Sequence, residues 1–168
     1  LNIGHEENPF LGYRAIRLCL DRPELFKTQL HAIVSVAANH PIKIMFPMIA
    51  TIGEWRRARL LINEAIADVR ARGIRLPQRI ETGIMVEVPS TAVLAEQFAA
   101  EVDFFSIGTN DLTQYTLAAE RGNPRLANLA DALHPSILKL IHMVVEAAHA
   151  HGKWVGVCGE AGGDPVAV

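Results

Sequence analysis

Short, almost continuously apolar runs alternate along the chain with longer segments in which apolar residues recur every three or four positions. The four apolar runs are residues 43–48, 83–88, 102–108 and 154–158. Runs of this kind are typical of strands that are covered on both faces in a parallel sheet. Because no hairpin signal separates them, the pattern predicts βα units joined by right-handed crossovers.

The helical segments between these runs have recognisable ends. Residues 11–38 predict two helices divided near Pro23, since a residue before proline avoids the helical region. Residues 53–72 predict a helix that stops at Gly73, and residues 136–151 predict one that stops at Gly152. Residues 90–100 predict a helix capped by a serine or threonine at its start. No linker interrupts the pattern, so we expect a single domain across residues 1–168.

Composition and charge narrow the function classes. Half of the 168 residues are hydrophobic, a fifth are charged, and the net charge is -2. This composition is typical of a soluble globular protein, and it lacks the basic patch that nucleic-acid or membrane-surface binding would need. No apolar run reaches the roughly 18 residues of a membrane span, and no signal peptide opens the chain. The two cysteines, Cys19 and Cys158, suggest no disulfide framework and favour the cytoplasm.

The polar residues that follow the strands bear on the architecture. Glu87, Asn110, Asp111, Cys158 and Glu160 all lie at the carboxyl ends of predicted strands. An open doubly wound sheet concentrates ligand loops at one switch point, whereas a (β/α)8 TIM-type barrel builds its site from several strand ends. The distribution favours the barrel, present here as an incomplete barrel of about four βα units. The chain lacks an initiator methionine, so we expect a segment of a longer protein.

Two carboxylates suggest a metal site. Glu87 and Asp111 end consecutive strands, and Mg²⁺ is commonly held by one or two carboxylates together with phosphate oxygens. The alternative is that each residue caps the helix that follows it. Zinc is disfavoured, because no group of cysteines and histidines has ligand spacing.

A thiol and two arginines are the other candidates. Cys158 lies between glycines in "GVCGEAGG", where a thiol can donate a proton or act as a nucleophile, although a buried inert cysteine is the usual alternative. Arg14 and Arg121 lie near glycines, where guanidinium groups can bind phosphate or carboxylate, although most arginines are solvated surface charges. Cys19 and the strand methionines predict packing, and His134 predicts a turn before a proline.

Several motifs together resemble a known family. The segments "NPFLGYRAIR", "IMFPMI", "GIMVEVPS", "DFFSIGTNDLTQYTLAAERGN", "HPSILKLI" and "GKWVGVCGE" are similar to the phosphoenolpyruvate-binding domain of the phosphoenolpyruvate-protein phosphotransferases. This is the enzyme I family of the bacterial sugar phosphotransferase system. Pyruvate phosphate dikinase and phosphoenolpyruvate synthase are similar over "GTNDLTQ" and "CGE", and "GGDP" departs toward the dikinases.

The resemblance implies roles for single residues. Glu87 and Asp111 match magnesium ligands, while Asn110, Arg121 and Arg14 match residues that bind phosphoenolpyruvate. Cys158 matches the acid that protonates the methylene carbon of enolpyruvate.

At the level of the whole protein, the family passes the phosphoryl group to a histidine on a separate N-terminal domain, which we expect to be absent here. That histidine then serves the histidine-containing phosphocarrier protein in sugar uptake. The C-terminal domain of the family also forms its homodimer, so a catalytically silent binding or dimerisation module is the alternative function. We expect the isolated chain to be inactive in phosphoryl transfer.

Overall fold

The computed structural model describes residues 4–167 and shows helices alternating with strands. The helices are α1 (Ile16–Asp21), α2 (Pro23–Val36), α3 (Ile52–Ala71), α4 (Pro89–Val93), α5 (Ala95–Ala99), α6 (Thr109–Leu117) and α7 (Pro135–Ala150). The strands are β1 (Lys43–Phe46), β2 (Glu81–Val86), β3 (Phe104–Gly108) and β4 (Trp154–Cys158). Short 3-10 helices occupy Pro9–Leu11, Pro124–Leu126 and Glu160–Gly163.

The four strands form one parallel sheet in the order β1-β2-β3-β4. Each strand is followed along the chain by helical structure. Strands that are consecutive in the sequence are also adjacent in the sheet. The sheet is open, with β1 and β4 at its edges. These observations confirm the predicted α/β fold, an incomplete barrel of the (β/α)8 type with about four βα units.

Two helical predictions need correction. The single helix expected over residues 90–100 is two short helices, α4 and α5, separated at Leu94. The residue at the N-cap of α4 is Val88, which makes no side-chain cap. Ser90 and Thr91 instead donate their hydroxyls to the carbonyls of Ala50 and Ile49, at 2.8 and 2.5 Å. These hydroxyls therefore hold the loop after β1 rather than the start of the helix.

The chain divides into two compact units. The first comprises Leu1–Ile42 and Gly53–Ile80, and the second comprises Lys43–Ile52 and Glu81–Val168. In the first, α2 and α3 each bury apolar residues at helical spacing: Phe26, Leu30 and Val34 on α2, and Trp55, Ala58, Ile62, Ala65 and Val69 on α3. Ion pairs join the same two helices, Lys27 to Glu64 and His31 to Asp68. Whether residues 1–168 form one barrel domain stays a prediction.

The second unit contains the whole sheet, whose two faces differ in chemistry because side chains alternate along a strand. One face is apolar and buried, with Ile44, Phe46, Ile84, Val86, Phe105 and Ile107. In the register of the strands, the other face carries Met45, Gly83, Met85, Phe104, Ser106, Gly108, Trp154, Gly156 and Cys158. This second face, which we call the open face, leads to the polar strand ends. No helix within residues 4–167 is long and apolar enough to cross a membrane.

Candidate active site at the strand ends

The carboxyl ends of β2, β3 and β4 lie side by side. Val86 is opposite Ile107, and Gly108 is opposite Cys158, so Glu87 borders Gly108 at the end of the sheet. A Cβ atom added to Gly108 would lie 3.1 Å from the Cβ of Glu87. The glycine therefore allows the end of β3 to approach the strand that carries this carboxylate.

Glu87 is a buried carboxylate that contacts the loop after β1. Glu87 is only 4% exposed, and its Oε1 accepts a hydrogen bond from the backbone N–H of Met48 at 2.5 Å. Met48 has a φ of 56°, in the left-handed region that a methionine rarely adopts. Strained backbone of this kind persists where neighbouring contacts hold it, and it is concentrated at functional sites. Glu87 supplies one such contact.

Asp111 lies in the first turn of α6, directly after β3. Its side chain is 14% exposed, and its Oδ1 lies 4.0 Å from Nη1 of Arg121. An aspartate near a helix N-terminus is also favoured by the helix dipole. The sequence left open that Asp111 caps the helix that follows it, but the N-cap of α6 is Gly108 and this helix has no side-chain cap.

Gln114 orients the segment that carries Arg121. The glutamine is buried within α6, and its Oε1 accepts the backbone N–H of Arg121 at 3.1 Å. Ala118, at the end of α6, adopts a left-handed φ of 51°, and the chain then turns back toward the helix. Sequence reasoning missed Gln114, because a glutamine in a polar stretch gives no sign of burial.

Thr109 and Asn110 join the ends of β3 and β4. Thr109 donates its hydroxyl to the carbonyl of Cys158 at 3.2 Å, and Asn110 Oδ1 accepts the N–H of Glu160 at 3.0 Å. This second bond fixes the orientation of the amide, since only its oxygen can accept. The Nδ2 group of Asn110 is thereby presented as a donor on the other side of the side chain.

Cys158 is a half-buried free thiol at the end of β4. Its Sγ donates to the carbonyl of Ile107 at 3.3 Å and accepts from the hydroxyl of Ser106 at 3.5 Å. A thiol that donates to a carbonyl carries its proton, as a proton donor must. Cys19, by contrast, belongs to α1, where burial raises the pKa of its thiol.

Arg14 belongs to the helical unit, in the loop before α1, and its Cζ lies 5.5 Å from the centre of the Phe10 ring. Its role in substrate binding stays a prediction. His134 is the N-cap residue of α7, and its Nδ1 accepts the N–H of Ser136 at 3.2 Å, which confirms the predicted turn.

Glu87 and Asp111, the predicted magnesium ligands, offer carboxylate oxygens, which are the donors that magnesium prefers. Within residues 4–167, no group of three or more His, Cys, Asp or Glu side chains is arranged to hold a metal ion. A metal here would therefore rely on Glu87 and Asp111, with substrate and water oxygens completing its shell. This is the chemistry of magnesium sites that bind phosphate.

Comparison with curated proteins finds close relatives. The chain is 54% identical over 168 residues to the phosphoenolpyruvate-protein phosphotransferases of Priestia megaterium, Staphylococcus carnosus and Bacillus subtilis. All of this chain is matched, and it spans 29 to 30% of the length of these relatives.

A solved structure and a family model complete the comparison. A citrate lyase from Burkholderia xenovorans matches the fold with a TM-score of 0.59 at 22% identity, over 78% of this chain and 40% of that one. At this identity the likeness shows the fold alone. The family model described as "PEP-utilising enzyme, PEP-binding domain" matches residues 1–168. The chain therefore belongs to the PEP-binding domain family of the PEP-utilising enzymes.

Proposed function

We propose that this chain forms part of the phosphoenolpyruvate site of a phosphoenolpyruvate-protein phosphotransferase. The parent protein moves the phosphoryl group of phosphoenolpyruvate to a protein histidine and releases pyruvate. The observation that carries the proposal is the meeting of Glu87, Asn110 and Cys158 at three neighbouring strand ends. The relatives at 54% identity favour this reaction over that of a dikinase.

Substrate binding uses the start of α6 and the segment after it. The N-terminus of a helix attracts anions, and the N-cap of α6 is Gly108, which lies beside Glu87 at the end of β3. Asn110 donates through Nδ2, and Arg121 lies 44% exposed beside Asp111, where its guanidinium can bind carboxylate or phosphate. Arg14 is a further phosphate ligand in this proposal.

Magnesium binding by Glu87 and Asp111 is part of the same proposal. When bound, the metal neutralises phosphate charge, which matters because phosphoryl transfer depends mainly on positioning and electrostatics. Glu87 keeps one oxygen on the Met48 N–H, so its orientation is set before any ligand arrives.

Cys158 supplies the proton that turns enolpyruvate into pyruvate. The π electrons of the enolate C=C bond form the new C–H bond at the methylene carbon, and the enolate oxygen becomes the ketone oxygen of pyruvate. The S–H bond breaks, and its electron pair stays on sulfur. The contact of the thiol with the Ile107 carbonyl holds the proton on sulfur until then. At the level of the parent, we also propose a cytoplasmic homodimer that serves the histidine-containing phosphocarrier protein.

Calorimetric titration of the chain with phosphoenolpyruvate, with and without Mg²⁺, tests the proposal. Binding that depends on Mg²⁺ is expected for the unaltered chain, and Asp111→Asn should abolish that dependence. Asp131→Asn is a matched control, since the side chain of this exposed aspartate accepts the N–H of Leu133 in a loop away from the strand ends. If the unaltered chain did not bind phosphoenolpyruvate, or if Asp111→Asn bound it with the same dependence on Mg²⁺, the proposal would be contradicted.

A further inference from the structure

Ser106 is the polar residue in an otherwise apolar strand. It lies in β3 between Phe105 and Ile107, on the open face of the sheet. Gly156 is directly opposite Ser106, and Gly108 is directly opposite Cys158. Ser106 and Cys158 are therefore diagonal neighbours on adjacent strands. Because the two facing residues are glycines, no side chain at those positions separates Ser106 from Cys158. Their side chains meet across the two strands at 3.5 Å, with the hydroxyl donating to sulfur.

The two hydrogen bonds of the thiol have opposite chemical effects. The bond from Sγ to the Ile107 carbonyl exists only while sulfur keeps its proton. The bond from the Ser106 hydroxyl to Sγ is weak to a neutral thiol, which is a poor acceptor, and strengthens when sulfur becomes negative. The first contact stabilises the reactant state, and the second stabilises the state that proton delivery leaves behind.

We propose that Ser106 is a positioning residue for Cys158, and that its hydroxyl stabilises the thiolate formed when the cysteine delivers its proton. The inference rests on the proposed role of Cys158 as the acid. As the S–H bond breaks and the C–H bond of pyruvate forms, the Ser106 hydroxyl keeps its own proton and donates to the sulfur that retains the electron pair. The same contact favours the thiolate in the reverse direction, where sulfur removes a proton from the methyl group of pyruvate.

The pH profile of thiol alkylation tests the contact without requiring turnover. The chain is treated with iodoacetamide from about pH 6 to about pH 10, which brackets the ordinary thiol range, and each cysteine is quantified by peptide mass spectrometry. Ser106→Ala should slow the alkylation of Cys158 about tenfold at neutral pH, because the reacting thiolate loses a hydrogen-bond donor. Cys19, in the helical unit, reports on the integrity of each variant from the same sample.

Two further variants separate a specific contact from a structural one. Ser106→Thr keeps the hydroxyl and suits a strand, so it should return the Cys158 profile to that of the unaltered chain. Ser90→Ala removes a serine hydroxyl that contacts the Ala50 carbonyl, and it should leave the profile unchanged. Superimposable Cys158 profiles for Ser106→Ala and the unaltered chain, or an equal shift at Cys19, would overturn the inference.

Kinetics of the intact parent enzyme separate this inference from the proposed function. Ser106→Ala should lower kcat about tenfold and leave KM within about twofold, because the contact strengthens only as charge develops on sulfur. A shifted alkylation profile with unchanged kcat would overturn the catalytic part of the inference. Lack of phosphoenolpyruvate binding by the chain would contradict the proposed function and leave the alkylation result standing.

Discussion

Gly159, directly after Cys158, allows the turn at the end of β4 to contact the start of α6. Its φ of 94° and ψ of -179° lie in a region of backbone conformation that is essentially restricted to glycine. A Cβ atom at this position would lie 2.5 Å from Thr109 Oγ1 and 2.9 Å from Asn110 Oδ1. Gly159→Ala would therefore disturb the two residues that join β3 to β4.

The expected loss of stability has two parts. Holding alanine in this conformation costs about 1–3 kcal/mol, and forcing its methyl group into a packed contact costs about 1–3 kcal/mol more. The free energy of unfolding should thus fall by about 2–6 kcal/mol. Gly152 provides the matched control, because its φ is 65° and a Cβ there would have nothing within 4 Å. Gly152→Ala should cost only about 1–2 kcal/mol, from the backbone alone.

Urea unfolding followed by circular dichroism measures both variants, and titration with phosphoenolpyruvate and Mg²⁺ measures the site. Gly159→Ala should lose binding even where it is fully folded, since Asn110 is displaced, whereas Gly152→Ala should bind normally. Equal destabilisation of the two variants would refute the steric argument. Normal binding by folded Gly159→Ala would refute the assignment of Asn110 to the site.

Two further predictions concern the amino-terminal end of the open face. In Gly83→Ala the new Cβ would lie 2.5 Å from the carbonyl oxygen of Phe104. The free energy of unfolding, measured in urea, should therefore fall by about 1–3 kcal/mol. An unchanged urea midpoint would contradict this prediction. Hydrogen bonds from Lys43 and then from Trp154 lower the pKa of Glu81 below its ordinary 4.5. The ionised Glu81 therefore stabilises the fold above pH 4.5, and this stabilisation is lost as the pH falls through the lowered pKa. Between about pH 5 and about pH 3, the Tm of the unaltered chain should fall further than the Tm of Glu81→Gln.

The strands and several site residues could be predicted from the sequence, because a short and nearly continuous apolar run is typical of a strand that is buried on both faces. Once those runs are placed, Glu87, Asp111 and Cys158 stand out as polar residues at strand ends. Helix α6 was not predicted, because Thr109 and Asn110 belong to residue types that favour turns and caps over helix interiors. Tertiary packing decides the matter, with Leu112 fully buried on the inner side of the helix.

The remaining parts of the site depend on contacts between distant residues. Nothing local indicates that Gln114 accepts the backbone N–H of Arg121, or that Ser106 faces Cys158 across two strands. The second contact depends on the register of β3 against β4, which fixes the diagonal pair only after the sheet has formed. Similarly, Ser90 contacts a carbonyl that lies 40 positions earlier in the chain, so its local pattern indicated a helix cap instead.

Glycines allow close packing at both ends of the open face. At the amino-terminal end, the Phe104 ring lies within 2.7 Å of where a Gly83 Cβ would be, and it stacks on Trp154 with 4.4 Å between ring centres. At the carboxyl end, Gly108 leaves room for Met85 and Glu87, because a Cβ at this position would lie 2.9 Å from Sδ of Met85 and 3.1 Å from the Cβ of Glu87. Because side chains alternate along each strand, both ends belong to one face, but they carry different chemistry. Substitutions at the aromatic end should therefore change unfolding without changing phosphoenolpyruvate affinity, whereas substitutions at the carboxyl end should lower that affinity.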